Sequence, residues 1–349
     1  MFNLESRTWQ SDARQFGLAA IFSITALAIS AAPSYADAAL ALLKAKYRRP
    51  ADIPFPAGNP YTPEKAALGK SLFFDPRLSG YQNMNCASCH NPSFGWEVPL
   101  KGAIGSQNTM LARKSPTILN RAWGGPYFWD GRARSLEEQA KGPIQSDVEM
   151  NLPLKDAVSR LQKIPEYNKW FNIVFPNDGV TGDTIVAALA TFERTVVSGY
   201  APFDSWIDGD DNAISESAKR GFALFNGKAN CSGCHTGWNF SDNKFHDTGI
   251  ATSDIGRGKI DPDNPKAMYA FKTPSLRDVS QRAPFMHNGS LPDLEAVMVQ
   301  YTRKAIDRPS RSPYFRLVDL DAEESRDIVE FMKSLTGTKQ IVSLPVLPN

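Results

Sequence analysis

One pentapeptide constrains this chain more than any other feature: residues 86–90 read C-A-S-C-H. A C-x-x-C-H run is the attachment signature of c-type haem, in which two thiols form thioethers with the porphyrin and the adjacent histidine binds the iron. The signature returns 145 residues later, where residues 231–235 read C-S-G-C-H. The sequence therefore predicts two covalent c-type haems, with attachment through Cys86, Cys89, Cys231 and Cys234 and iron ligation by His90 and His235.

Two other kinds of site use closely spaced cysteines. A zinc knuckle would need four ligands close together, and a thioredoxin-like dithiol has no use for the histidine that follows each motif. All four cysteines of the chain fall in the two motifs, which leaves none for a disulfide. The haem interpretation is favoured over both alternatives.

The N-terminal segment has the features of a secretory signal peptide. Arg7 and Arg14 precede an apolar run of 17 residues at 16–32, and Ser-Tyr-Ala at 34–36 is an A-x-A-like cleavage site. The run is shorter than the ~20 residues of a spanning helix, so an uncleaved anchor is the less favoured alternative. We expect residues 1–36 to be removed, the mature chain to begin near Asp37 in the periplasm, and no stable membrane insertion. Export fits the cofactor, because bacteria attach c-type haem outside the cytoplasmic membrane.

Charge alone indicates no partner. The formal net charge is +2, and no basic patch large enough for nucleic acid stands out. We therefore expect no nucleic-acid partner.

The pattern of apolar residues predicts an all-α protein with two cytochrome c-like domains, each carrying one haem. Helical spacing occurs at residues 38–47, 154–164, 166–175, 183–197, 293–302 and 323–335. Thr62 and Asp321 are predicted N-caps, and Ser135 with Glu138 a capping box. G-x-x-L-F precedes each haem motif, at 69–73 and 221–225, which indicates an internal repeat. The Gly-, Pro- and Asp-rich residues 199–211 suggest a boundary, so we predict haem domains at 37–200 and 201–349.

The sixth iron ligands decide whether the haems react or only carry electrons. Besides the two motif histidines, only His246 and His287 are available. Met110 and Met150 follow the first motif at distances that an electron-transfer cytochrome could use. Methionine ligation of both irons would make the protein a non-catalytic di-haem electron carrier.

Four further motifs carry a family resemblance: F-W-D-G-R at 128–132, E-Q-A-K-G-P at 138–143, V-E-M at 148–150 and P-F-M-H-N-G-S at 284–290. Together with the haem motifs, they make nearly the whole mature chain resemble the bacterial di-haem cytochrome c peroxidases. The resemblance implies that Trp129 lies between the haems and that Glu149 overhangs the open face of the first. Gln139 and Pro143 would line the same pocket.

The chemistry of these residues agrees with that assignment. Peroxide activation needs an open iron site and a group that moves a proton between the two oxygens, which suits a carboxyl in an apolar pocket. An indole between two haems offers an intermediate site for electron transfer. Taken singly, Trp129 could be a packing aromatic and Glu149 a solvated helix acid, but their joint spacing favours the functional interpretation.

Two departures from typical peroxidases indicate a branch of the family. Peroxidases carry a histidine some sixteen residues after the first motif, where this chain reads A-I-G-S-Q at 103–107. They also carry a methionine fourteen residues beyond the histidine of P-F-M-H, as the sixth ligand of the second haem, where this chain has Tyr301. The resemblance implies a permanently open first haem and tyrosinate ligation of the second. Met298, one turn earlier on the same helix, is the alternative ligand.

Calcium is an open candidate. Relatives bind one ion between the haem domains through an asparagine side chain and backbone carbonyls. Lys114 stands in the position of that asparagine, and a cation is not a calcium ligand. The carbonyls of Arg282 and Pro284 remain suitable ligands.

The resemblance thus implies a periplasmic enzyme of the branch that matures the tryptophan tryptophylquinone of methylamine dehydrogenase. Hydrogen peroxide would react at the first haem. A high-valent state shared by both haems would then oxidise tryptophans of the precursor of methylamine dehydrogenase, its protein substrate. One alternative is a peroxidase that receives electrons from a small periplasmic cytochrome or copper protein. The other is the electron carrier, with Met150 and Met298 as ligands.

Overall fold

The structure is a computed structural model that describes residues 35–339 and 341–349. The apolar run of the predicted signal peptide lies outside the described residues. Within them, no helix is long and apolar enough to cross a membrane.

Helices dominate the described part of the chain. In order they are α1 (Tyr35–Ala45), α2 (Pro63–Phe73), α3 (Cys86–Cys89), α4 (Leu136–Gln145), α5 (Leu154–Gln162), α6 (Pro165–Val174), α7 (Gly182–Thr195), α8 (Pro202–Ile207), α9 (Glu216–Asn226), α10 (Leu294–Arg303) and α11 (Ala322–Ser334). Two antiparallel two-residue strands, β1 (Phe245–His246) and β2 (Phe271–Lys272), form the one named sheet of these residues. The all-α prediction is confirmed, and the predicted helices are present with ends shifted by at most three residues.

The G-x-x-L-F repeat has the same structural role in both halves. Gly69 lies where α2 crosses α7, and a Cβ there would be 1.9 Å from the carbonyl oxygen of Ala188. Gly221 lies where α9 crosses α11, and a Cβ there would be 2.0 Å from the carbonyl oxygen of Asp327. Only glycine permits such close helix packing. The repeat therefore marks a matching helix pair in front of each haem motif.

Each helix pair belongs to its own apolar cluster. Leu72 and Phe73 of α2 are buried with residues of α4 to α7. Phe222 and Phe225 of α9 are buried with residues of α8, α10 and α11. Two cores with a shared helix arrangement are what two cytochrome c-like domains would build.

A second repeat was not recognised in the sequence. P-Y-F-W-D-G at 126–131 and P-F-M-H-N-G at 284–289 both begin with a cis proline and both place their third residue at positive φ, Phe128 at 66° and Met286 at 72°. Each loop closes with an isolated antiparallel bridge, from Tyr127 to Ala133 and from Phe285 to Leu291. The two loops therefore put Trp129 and His287 in equivalent positions of the two halves.

The predicted helix caps are only partly present in the structure, and the segment of the predicted domain boundary contains a helix. Asp321 is the predicted N-cap and forms a capping box with Glu324. Ser135 accepts from the backbone N–H of Glu138, but the Glu138 carboxylate accepts from the N–H of Arg134 instead of closing the box. Residues 199–211 contain the buried helix α8, because Phe203, Trp206 and Ile207 form an apolar face within the Gly- and Asp-rich surroundings.

Candidate haem centre

The first C-x-x-C-H motif is held by a helix cap. The Asn85 side chain accepts a hydrogen bond from the backbone N–H of Ser88, and the backbone N–H of Asn85 donates to the Ser88 hydroxyl. This capping box fixes the one-turn helix α3. The Asn85 amide also donates to the carbonyl of Phe74 at 2.8 Å, at the end of α2. Cys86 and Cys89 are thus presented on one rigid turn, with His90 directly behind them.

Both motif histidines have the orientation that an iron ligand needs. Nδ1 of His90 lies 3.3 Å from the carbonyl oxygen of Trp96, and Nδ1 of His235 lies 3.0 Å from that of Phe240. A carbonyl oxygen can only accept, so Nδ1 carries the proton and Nε2 keeps its lone pair for a metal. Burial lowers the pKa of both histidines, which favours the neutral, ligating form.

One cavity of about 780 Å³ connects the two motifs. Its wall includes all four cysteines and both motif histidines, together with many apolar side chains. Burial raises the pKa of the Cys89 thiol to about 11 and that of Cys231 to about 12, so both thiols are neutral at neutral pH. A large apolar cavity with free thiols and oriented imidazoles at both ends fits two covalently attached haems.

One group of potential metal ligands lies beside the second motif. Sγ of Cys234, a carboxylate oxygen of Asp242 and a ring nitrogen of His246 lie within 4.8 Å of one another, the one such group in the described residues. His246 is already hydrogen-bonded, to Asp242 at 2.8 Å and to Ser312 at 2.9 Å. The thiol belongs to the haem motif, so a separate metal ion is not needed to explain the group.

Trp129 lies in the wall of this shared cavity and connects the two halves of the chain. Its indole N–H donates to the carbonyl oxygen of Lys114 at 2.8 Å, and its own carbonyl accepts from the backbone N–H of Lys272 at 2.8 Å. The loop is anchored by Asp130, which pairs with Arg113 at 2.7 Å and with Arg132 at 3.0 Å. Trp129 therefore lies in the cavity wall with contacts to both halves, and its position between two haems stays a prediction.

Glu149, Gln139 and Pro143 line the part of the cavity near the first motif. Gln139 and Pro143 lie four residues apart on α4 and share its inner face. Burial raises the pKa of Glu149, and the Ser146 side chain and Arg132 partly oppose this shift. A carboxyl of raised pKa in an apolar wall suits proton transfer near neutral pH.

The segment without a histidine supports the Glu149 loop. The backbone N–H of Ser106 donates to the carbonyl oxygens of Val148, at 3.1 Å, and Glu149, at 2.9 Å. Residues 103–107 therefore contribute backbone support where peroxidases contribute a ligand. Met110 is 63% exposed and is absent from the cavity wall, so it is not placed to bind an iron. Met150 is buried and does line the cavity.

Tyr301 and Met298 both face the second haem position from one side of α10. The Tyr301 ring packs 5.4 Å from that of Phe315. Burial raises the pKa of Tyr301, and the nearby Cys231 and Cys234 add to the shift. A phenolate here would therefore need a cation beside it, and ferric iron is such a cation.

Lys114 occupies a buried ion cluster between the halves. Its ammonium pairs with Glu97, and Glu97 also accepts from Arg282 at 2.9 Å and from the N–H of Thr117 at 3.0 Å. The backbone N–H of Lys114 donates to the carbonyl of His287 at 2.8 Å. The position of the predicted calcium-binding asparagine thus holds a positive charge that already has a carboxylate partner.

Sequence reasoning missed three buried charged residues of this region: Glu97, Arg282 as a side chain, and Glu193. Glu193 lies on α7 one turn after Leu189, and both line the cavity. A glutamate at helical spacing from core residues was the available signal. The partners of Glu97 come from distant parts of the chain, so no local pattern could reveal them.

Comparisons with known proteins agree with this centre. A family model described as di-haem cytochrome c peroxidase matches residues 63–212, and one described as cytochrome c matches residues 218–336. The chain is 49% identical to methylamine utilization protein MauG of Methylorubrum extorquens, over 91% of this chain and 92% of the relative. It is 47% identical to MauG of Methylophilus methylotrophus, over 87% and 91%.

Among solved structures, a MauG-like protein associated with microbial copper homeostasis superposes with a TM-score of 0.77. It is 30% identical, and the match covers 84% of this chain and 94% of that one. The two family models imply two c-type haems, one in each half, and the fold agrees with that of the MauG-like protein.

Proposed function

Because this chain belongs to the di-haem cytochrome c peroxidase family, and within it to the MauG proteins, we propose that it completes a tryptophan-derived quinone. The quinone would form in the precursor of methylamine dehydrogenase, with hydrogen peroxide as the oxidant. The observation that carries the proposal is the single cavity reaching from the first haem motif, past Trp129, to Tyr301. The family membership makes the chain an oxidoreductase; the precursor as substrate is the proposed part.

His90 would hold the first iron, and His235 with Tyr301 the second. When bound, the two haems supply the redox chemistry that takes two electrons from the substrate and delivers them to peroxide. With two protons, one peroxide becomes two waters. Glu149 would move a proton between the peroxide oxygens. Burial raises the pKa of its carboxyl, which makes the carboxyl a better proton acceptor than an exposed glutamate.

Trp129 provides an aromatic ring between the two haem positions. Its N–H donates to a carbonyl oxygen, which cannot take the proton away, so the indole remains intact after an electron has passed. Gln139 and Pro143 would line the pocket in front of the first iron. These contacts support electron transfer from a protein docked outside to peroxide bound inside.

We place this reaction in the periplasm, because c-type haem attachment and the predicted signal peptide both require export. We also propose that the ammonium of Lys114 supplies the positive charge that calcium supplies in relatives, since Glu97 is already paired with it.

A peroxidase that uses a small cytochrome or copper protein as reductant is the second candidate. The observation that favours it is Met298, which is buried and faces the second haem position one turn from Tyr301. The electron carrier would further need Met150 on the first iron.

The deciding experiment offers the loaded enzyme and peroxide either the purified precursor or a reduced small cytochrome. Quinone formation in the precursor supports the proposal, and turnover with the cytochrome alone contradicts it.

A further inference from the structure

Glu193 is a buried carboxyl in the first-haem part of the cavity that the proposed chemistry does not use. It lies in the last turn of α7, is 7% exposed, and lines the cavity. Its side chain has no hydrogen bond or ion pair with any of the described residues. A carboxyl that is nine-tenths buried without a partner, and that faces a ligand cavity, points to a function connected with that ligand.

The charged and titratable groups around Glu193 are Arg194, Arg121, Glu137, Tyr127 and Cys86. Neither arginine neutralises it. The Arg194 guanidinium instead donates two hydrogen bonds to the carboxylate of Glu137, at 2.7 and 3.0 Å. The Arg121 guanidinium lies over the Tyr127 ring, 5.2 Å from its centroid, and has no carboxylate within 4.0 Å among the described residues.

Glu193 lies beside the first haem motif. Burial raises the pKa of the Cys86 thiol, and Glu193 is close enough to add to that shift, as Glu149 adds to the shift of Cys89. The two carboxyls therefore lie near the two thiols of one haem motif. Burial raises the pKa of Glu193 to about 7, with the two arginines opposing the shift and Glu137 adding to it.

We propose that Glu193 takes up a proton from solvent when the first haem is reduced by one electron. Reduction removes one positive charge from the neighbourhood of the carboxylate, and protonation removes one negative charge, so the net charge of the buried pocket is unchanged. The electron comes from the reductant, the proton from water, and the carboxylate becomes a carboxylic acid. The inference needs only the haem, so it holds for a quinone-forming enzyme and for a peroxidase alike.

This coupling gives the midpoint potential of the first haem a defined pH dependence. At low pH the carboxyl is protonated in both redox states, and the potential does not change with pH. Once Glu193 is ionised in the oxidised protein, each pH unit should lower the potential by up to 59 mV, the one-electron equivalent of a tenfold change in proton concentration. We expect the fall to begin near neutral pH.

The test is a potentiometric titration of the loaded protein at several pH values, for the wild type, Glu193→Gln and Glu149→Gln. Glutamine has the shape of the neutral acid, so the first variant should fold. The pH-dependent fall should disappear in Glu193→Gln and persist in Glu149→Gln, a carboxyl lost from the same cavity. An unchanged slope in Glu193→Gln, or a slope lost only in Glu149→Gln, would overturn the proposal.

A measurement on the wild type needs no variant. Redox-induced infrared difference spectra at mildly alkaline pH should show the C=O band of a carboxylic acid appearing on reduction. Absence of that band in the wild type contradicts proton uptake by any carboxyl, including Glu193. A band that persists unchanged in Glu193→Gln assigns the proton elsewhere and also overturns the proposal.

Discussion

The indole N–H of Trp129 donates to the carbonyl oxygen of Lys114 at 2.8 Å. Lys114 is 3% exposed, and its ammonium forms an ion pair with the buried Glu97. Among the described residues, no other carboxylate pairs with Lys114. Glu97 follows Trp96, whose carbonyl accepts from His90. Trp129 and His90 are therefore connected through one buried ion pair.

The resting protein should contain one high-spin and one low-spin ferric haem. The histidines that line the cavity beyond the two motifs have other contacts, since His246 pairs with Asp242 and the His287 ring stacks on Phe271 at 3.5 Å. Electron paramagnetic resonance and optical spectra check this. Met150→Leu should leave the high-spin signal unchanged. Two low-spin haems in the wild type would mean that the first site is closed.

Replacing Glu149 with glutamine should slow the reaction of the first haem with peroxide by about 10²–10⁴, the usual effect of losing a general acid–base. The amide keeps the shape but cannot exchange a proton. Stopped-flow spectroscopy after peroxide addition measures the rate. The exposed Glu166→Gln on α6 is the matched control and should react like the wild type. Equal rates in all three proteins would remove Glu149 from the mechanism.

Tyr301→Phe should convert the second haem from low spin to high spin, because the phenyl ring has no atom to bind iron. Met298→Leu should keep the low-spin signal and cost less than about 1.5 kcal/mol in the free energy of unfolding, as volume-conserving core changes do. Tyr301→His should restore six-coordination yet give less quinone, since neutral imidazole compensates ferric charge less well than phenolate. The reverse pattern would make Met298 the ligand.

Chelation of divalent cations should leave the thermal midpoint and haem spectra of the wild type unchanged, because Lys114 already neutralises Glu97. Lys114→Asn removes one of the two cations that pair with Glu97, leaving Arg282, and the new amide offers an oxygen ligand for calcium. Added calcium should then raise the thermal midpoint of that variant, as any ligand of the native state does. A drop in the wild-type midpoint on chelation would show that calcium is bound despite Lys114.

Much of this architecture could be predicted because it depends on short patterns. Two C-x-x-C-H motifs predict where the haems attach, and G-x-x-L-F marks the close helix crossings at Gly69 and Gly221. Trp129, Glu149 and Tyr301 were proposed from the family resemblance that their motifs carry, and all three line the shared cavity. Their roles stay predictions.

The parts that were not predicted depend on long-range contacts. Glu97 and Arg282 pair across 185 positions in sequence, and Arg194 binds Glu137 on another helix. The equivalence of Trp129 and His287 was hidden because the two loops share backbone geometry and few side chains. Such relationships depend on tertiary packing, and the local periodicity of a sequence does not predict tertiary packing.

We propose that peroxide oxidises a protein substrate through this cavity. The most direct measurement adds peroxide to the loaded enzyme and the purified precursor of methylamine dehydrogenase, then follows quinone absorbance and the mass of the modified chain. We predict complete quinone formation with the wild type and at least a tenfold lower rate with Trp129→Phe. An unmodified precursor, in a sample whose enzyme oxidises a reduced small cytochrome with peroxide, would contradict the account.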